Sequence, residues 1–125
     1  MNDPYVYITP NELAVPKYKA IRAAYDRSCT ILAQVEHHKE HGTKSNLGDY
    51  NLIGNGCRTF HEAILLHAPP SADRTAAERC CRLARILAKE AVNAHDRVEA
   101  KRFMVLAYDE LLKAKMQACA AIALG

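Results

Sequence analysis

The sequence predicts an all-α protein: an antiparallel helical hairpin or bundle, oligomeric, with an N-terminal extended arm and an inserted loop plus short helix. Apolar residues recur at spacings of three and four through most of the chain, as they do on one face of a helix. Prolines, glycines and capping residues separate these periodic stretches. With 125 residues, half of them hydrophobic, the chain fits a single helical domain over residues 1–125.

The domain is predicted to begin with an arm over residues 1–15. Within the arm, YVYITP (5–10) alternates tyrosines with other residues and includes β-branched side chains, which is typical of an extended segment. No second strand follows that could pair with it. In an extended segment, Tyr5 and Tyr7 lie on the same side.

The first helix is predicted over residues 16–41. Pro16 suits the first turn, where the N–H that proline lacks is not needed, and Gly42 suits the end. The residues at helical spacing are Tyr18, Ile21, Tyr25, Ser28, Leu32 and Val35. We expect this face to pack against the rest of the domain.

A long loop is predicted over residues 42–58, because this segment holds four glycines and three asparagines. A short helix is predicted after it, over residues 59–68. Thr59 and Glu62 have the spacing of a capping box, and Pro69-Pro70 ends the segment.

Two longer helices are predicted over residues 71–94 and 96–124, and their short connection favours antiparallel packing. The expected apolar side of the first is Cys80, Leu83, Ala84, Leu87 and Ala91. That of the second is Met104, Tyr108, Leu111, Leu112, Met116, Cys119 and Ile122. Segments 73–84 and 96–107 align without gaps and share six of twelve residues. A duplicated helix explains this match, and so do two independent Ala/Leu-rich helices.

Composition and charge narrow the classes of function. The net charge of +3 is too mild to indicate duplex nucleic acid, but it leaves cations for a small anionic ligand. No apolar run approaches the ~18 residues of a membrane span, and no signal-peptide pattern opens the chain, so a cytosolic protein without membrane contact is expected. The five cysteines lack C-x-x-C spacing and indicate reduced thiols.

The histidine motifs do not predict a metal site or an enzyme. In HEAILLH, His61 and His67 are six residues apart and so lie on nearly opposite helix faces, unlike the ligands of a zinc protease. In EHHKEH (36–41), His37 and His41 are one turn apart, but a solvated helix end explains them as well. No nucleophile or acid–base pair has a recognisable pattern, so we expect no catalytic residues, no metal and no cofactor.

The arm and the first helix carry the residues of a candidate ligand site. Tyr7 precedes Arg22 by fifteen residues, and Lys17 lies between them. Aromatic rings beside cationic groups suit nucleotide ligands, since the ring stacks on the base and the cation binds phosphate. Packing of the tyrosines against the helices, with the cations in solvent, explains the same residues.

Four segments of the sequence resemble the helical-hairpin domain of phage anti-CBASS and anti-Thoeris nucleotide sponges. They are Y-x-x-P (7–10), K-Y-x-A-I-R-A-A (17–24), P-P-S-A-D-R-T-A-A (69–77) and A-A-I-A-L (120–124). In that family, an aromatic arm leads into a helix, a proline-containing turn leads into a second helix, and several protomers assemble. The present sequence departs from the family by its long insertion over residues 42–68 and by two candidate second helices.

The resemblance implies a function and a set of binding residues. The family sequesters cyclic dinucleotide, cyclic trinucleotide or cyclic ADP-ribose-type signals without cleaving them, so immune evasion in the cytoplasm of a bacterial host is implied. Tyr7 resembles the base-stacking aromatic of the family, with Pro10 in the same motif. Arg22 resembles the basic helix residue that meets the ligand from a neighbouring protomer, and Lys17 and Arg74 lie in the matching segments.

A second hypothesis is a protein-interaction bundle that inhibits a host protein through the predicted 42–58 loop. Its expected contact residues are Leu47, Tyr50, Leu52 and Ile53. An unfamiliar nuclease or phosphodiesterase is a third hypothesis.

Overall fold

The computed structural model describes residues 15–43 and 48–125 of the chain. These residues form four helices: α1 (Val15–His41), α2 (Asp49–His67), α3 (Ala72–Asn93) and α4 (Arg97–Leu124). Each helix packs against its neighbours in the order α1, α2, α3, α4 and back to α1, so that α1 and α3 are diagonal. The predicted all-α bundle is confirmed for this part of the chain, where no strand occurs.

Successive helices run in opposite directions. The end of α1 meets the start of α2 through His38 and Asp49, and the C-terminal Gly125 lies against Pro69 in the α2–α3 turn. The bundle therefore has two ends. The starts of α1 and α3 share the first end, and the starts of α2 and α4 share the second end.

The structure confirms the predicted bounds of three helices to within a residue or two. At Gly42 the backbone turns to a φ of 65°, which glycine adopts readily after a helix. Ser71 caps α3 by accepting a hydrogen bond from the Arg74 N–H, and Asp96 caps α4 by accepting one from the Val98 N–H.

The predicted loop is wrong over residues 49–58, because α2 begins at Asp49 and continues to His67, and the predicted 59–68 helix is the second half of α2. The Thr59 hydroxyl donates to the Asn55 carbonyl one turn earlier, so Thr59 lies inside the helix and does not cap it. Glycines and asparagines lower the helix propensity of this segment. Burial of one face outweighs that cost, since Ile53, Gly56, Cys57, Phe60 and Ile64 face the core at helical spacing.

Alanines are most of the buried residues of α3 and of α4. The buried positions of α3 are Ala77, Cys81, Ala84, Ala88 and Ala91, and those of α4 include Ala100, Met104, Ala107, Leu111, Ala114, Ala118 and Ala121. Leu83 and Leu112, which the sequence predicted on the apolar sides of these helices, are exposed. Small side chains allow two helices to approach closely, so the large apolar side chains beside them remain outside.

The match between segments 73–84 and 96–107 coincides with this packing. Ala77 and Ala100 are both buried, as are Ala84 and Ala107, while Leu83 and Leu106 are both exposed. The match therefore reflects one pattern of burial on two helices, which both explanations of it predict. In the portion covered by the structure, no helix is long and apolar enough to cross a membrane.

Candidate functional site

The last two turns of α1, EHHKEH (36–41), hold the second end of the bundle together. Glu36 accepts a hydrogen bond from the Tyr108 hydroxyl of α4 at 2.8 Å. His38 Nδ1 lies 3.0 Å from Asp49 Oδ1 at the start of α2. Burial, together with the Glu36 hydrogen bond, raises the pKa of Tyr108 well above its usual range.

Lys39 links the same turns to α3. Its Nζ donates to the carbonyls of Val92 at 2.6 Å and Ala94 at 2.7 Å, where α3 ends. A cation at the C-terminus of a helix satisfies carbonyls that have no partner within the helix and opposes the negative end of its dipole. The EHHKEH segment thus contacts all three other helices.

A cavity of about 510 Å³ opens at this second end, between the end of α1, the end of α3 and the start of α4. We call it the end cavity. Its apolar lining is Val35, Ala91, Val92, Val98, Ala100 and Met104. Its polar lining is Glu36, Lys39, Glu40, His41, Arg97 and Lys101. The volume lies within the range of about 300–1,000 Å³ that is usual for small-molecule sites.

The cations of the end cavity are concentrated at the start of α4. Arg97 and Lys101 are exposed and one turn apart, next to the positive end of the α4 dipole. One of the two acidic residues of the lining, Glu36, is hydrogen-bonded to Tyr108. The other, Glu40, is exposed. The cavity thus combines an apolar lining with a rim on which cations outnumber carboxylates, which suits a ligand that has both an apolar and an anionic part.

The residues predicted from the sequence lie at the first end of the bundle. Lys17 and Arg22 are exposed near the start of α1. Tyr7 and Pro10 are outside the described residues. The structure thus brings Lys17, Arg22 and Arg74 to one end of the bundle, on the diagonal helices α1 and α3, and separates them from the end cavity.

Arg74 has a structural contact at that end. Its Nη1 donates to the carbonyl of Ala68, the residue that caps the end of α2, at 3.3 Å. The guanidinium is half-buried and stabilises the turn between α2 and α3. A ligand phosphate there would compete with this carbonyl.

His37, His38, His41 and His61 contact other side chains of the bundle. His61 Nε2 lies 3.0 Å from Glu78 Oε1 and joins α2 to α3. The rings of His37 and His41 are 4.2 Å apart between centroids. Within residues 15–43 and 48–125, no group of three or more His, Cys, Asp or Glu side chains is placed to hold a metal ion.

All five cysteines lie in the described residues, and no disulfide joins them. Cys57 and Cys81 are buried, and burial raises the pKa of Cys57 to about 11 and that of Cys81 higher still. Raised thiol pKa values suit packing side chains and disfavour nucleophiles.

Part of the surface that the protein-interaction hypothesis requires is buried in the bundle. Ile53, an expected contact residue, is 1% exposed and belongs to the core. Leu52 is half-buried, Leu47 is outside the described residues, and Tyr50 is exposed with Lys89 Nζ 5.8 Å from its ring centroid. The residues expected on an exposed loop thus belong largely to α2, which packs in the bundle.

Sequence reasoning missed Arg97 and Lys101, because no local signal marks them. Asp96 caps α4 and Glu99 lies in its first turn, as the dipole of a helix favours, so the two cations stand among ordinary acidic residues. The α1 part of the end cavity, residues 35–41, is more than fifty positions away in the sequence, and no local pattern connects it to α4.

No protein-family model, no curated protein and no solved structure matches this chain.

Proposed function

We propose that this chain binds a cyclic nucleotide signal and holds it without cleaving it. The ligand is a cyclic dinucleotide, a cyclic trinucleotide or a cyclic ADP-ribose-type molecule. The resemblance of four sequence segments to the phage sponges supports this ligand class and implies a role in immune evasion in the cytoplasm of a bacterial host. The one structural observation that carries the proposal is the end cavity with its basic rim.

The end cavity offers both kinds of contact that such a ligand requires. Arg97 and Lys101 would bind phosphate oxygens by charge-assisted hydrogen bonds. Val92 and Met104 would cover the face of a base. We therefore propose this cavity as the ligand site in preference to Lys17, Arg22 and Arg74, and the arm residues Tyr7 and Pro10 remain the alternative.

Ligand binding is tested with a panel of cyclic di- and trinucleotides and cyclic ADP-ribose isomers. A ligand of the folded state raises the melting temperature in proportion to the logarithm of its concentration. After denaturation, the released ligand is analysed by chromatography. A shift with intact ligand is expected, whereas no shift with any compound contradicts the proposal, and a cleaved product contradicts sequestration.

Two matched double variants locate the site. Arg97→Ala with Lys101→Ala should weaken binding by ~1–3 kcal/mol per lost charged contact, while Lys17→Ala with Arg22→Ala should leave it unchanged. Arg82→Ala, at an exposed cation of α3, is the control for the loss of charge. If only the Lys17 and Arg22 variant, or Tyr7→Ala, loses affinity, the ligand binds at the first end.

A further inference from the structure

The solvent-facing side of α4 carries a second periodic stripe. Opposite the buried alanines, the exposed residues at spacings of four and three are Val98, Arg102, Val105, Asp109 and Leu112. We call them the outer stripe. A helix that packs on one side only is expected to be polar on the other, so an apolar and charged repeat there indicates a second packing surface.

The apolar members of the outer stripe are well exposed. Val98 is 76% exposed, Val105 53% and Leu112 41%. Leu106, next to Val105, is also exposed. Single exposed leucines and valines are ordinary on protein surfaces, but three at heptad spacing on one helix are the pattern of a helix–helix contact.

The charged residues around the outer stripe are cations on one side of its centre and carboxylates on the other. The segment KRFMVLAYDE (101–110) begins with two cations and ends with two carboxylates. Its midpoint lies between Val105 and Leu106. Lys101, Arg102 and Asp109 are exposed, whereas Glu110 is half-buried and bonded to Lys113 at 3.0 Å. Arg102 and Asp109 are therefore the charged pair that the outer stripe presents.

Two copies of α4 place opposite charges against each other only when the two helices are antiparallel. A two-fold axis through the midpoint places Arg102 of one copy opposite Asp109 of the other, and the reverse, with Val105 against Leu106 between them. Val98 then falls beside Leu112 of the second copy. A parallel pair would set Arg102 against Arg102 and Asp109 against Asp109, and like charges repel.

We propose that this protein forms a homodimer through the outer stripe of α4, with the two α4 helices antiparallel about Val105 and Leu106. The apolar residues supply the attraction and the Arg102–Asp109 pairs fix the register. The inference goes beyond the proposed ligand binding and does not depend on it. Because exposed charge pairs are screened by ions, the dimer should weaken as salt increases.

The test is a charge exchange followed by sedimentation velocity over a range of concentrations at low salt. The wild-type protein should dimerise. Arg102→Asp alone and Asp109→Arg alone each set like charges opposite each other, and each should raise the dissociation constant at least about tenfold. An equimolar mixture of the two single variants should dimerise again, because both contacts then join opposite charges, and so should the double variant Arg102→Asp/Asp109→Arg.

The controls separate this surface from a general effect of charge or folding. Arg82→Asp, at an exposed position of α3, should dimerise like the wild type, and circular dichroism should show unchanged helicity for every variant. A wild-type protein that is monomeric at every concentration overturns the proposal. Single variants that dimerise as well as the wild type, or a mixture that remains monomeric, also overturn it.

Discussion

Two tyrosine hydroxyls show how one atom can either cost or contribute stability. The Tyr18 hydroxyl is buried and has no hydrogen-bond partner among residues 15–43 and 48–125, whereas the Tyr108 hydroxyl donates to Glu36. A buried polar group without a partner costs about 1–3 kcal/mol, and a satisfied hydrogen bond contributes roughly 1 kcal/mol. The same Tyr→Phe change should therefore have opposite effects at the two sites.

We expect Tyr18→Phe to leave the free energy of unfolding unchanged or to raise it by up to about 1 kcal/mol, because it removes an unsatisfied hydroxyl. Tyr108→Phe should lower it by ~1–2 kcal/mol, since Glu36 loses its donor. Urea unfolding followed by circular dichroism measures both. A Tyr18→Phe protein that is clearly destabilised would show that its hydroxyl has a partner outside the described residues.

Helix α2 shows most clearly what the sequence could and could not predict at the scale of the element. Its apolar repeat was present in the sequence, but four glycines and three asparagines over residues 42–58 outweighed it in the prediction. Local propensity is a weak guide when a whole face of a helix is buried. The other three helices have stronger propensity and clear capping residues, so their bounds were predictable.

The glycines inside α2 provide a matched pair of tests. Gly54 has open space around it, so Gly54→Ala should raise the free energy of unfolding by about 0.5–1 kcal/mol through helix propensity. A Cβ at Gly56 would lie 2.7 Å from Ile31 Cδ1, and that side chain would have to move. Gly56→Ala should therefore gain less than Gly54→Ala. Thermal and urea unfolding compare the two, and equal gains would contradict close packing of α1 against α2.

At the scale of the whole molecule, the buried thiols and phenols make the fold sensitive to alkali. Burial raises the pKa of Cys57 to about 11 and that of Tyr25 to about 12, and it raises those of Cys81 and Tyr108 further. In the unfolded chain these groups lose their protons at a lower pH. Their stabilising effect is complete below the unfolded pKa and is lost as the pH rises toward the folded pKa.

We expect the free energy of unfolding to begin to fall near pH 9, the ordinary pKa of a thiol, and to fall more steeply above pH 10, where the tyrosines of the unfolded chain ionise. Each additional proton lost on unfolding contributes a slope of about 1.4 kcal/mol per pH unit. Cys57→Ala removes one titrating group and should reduce the slope between pH 9 and pH 11. Urea titrations with reductant at each pH measure the slope, and a slope unchanged by the substitution would contradict this assignment.

The candidate site was less predictable than the fold for a reason that also belongs to the whole molecule. The end cavity is formed by residues of α1, α3 and α4 that meet only when the bundle closes. Patterns within one segment identified Lys17 and Arg22 as cations near an aromatic arm, but they could not show that Lys39, Arg97 and Lys101 surround one cavity. The order of charges in KRFMVLAYDE, by contrast, lies within one segment, so it can be recognised in the sequence once the exposed side of α4 is known.

The alanines between α3 and α4 have a consequence for the entropy of folding. A buried leucine or methionine loses roughly 0.5–2 kcal/mol of rotamer freedom, whereas alanine has no side-chain rotamer to lose. Alanine is also the best helix former. The α3–α4 pair therefore buries less apolar area than larger side chains would, but it also loses little side-chain entropy on folding. Its stability depends on two well-formed helices that lie close together, and less on the interdigitation of large side chains.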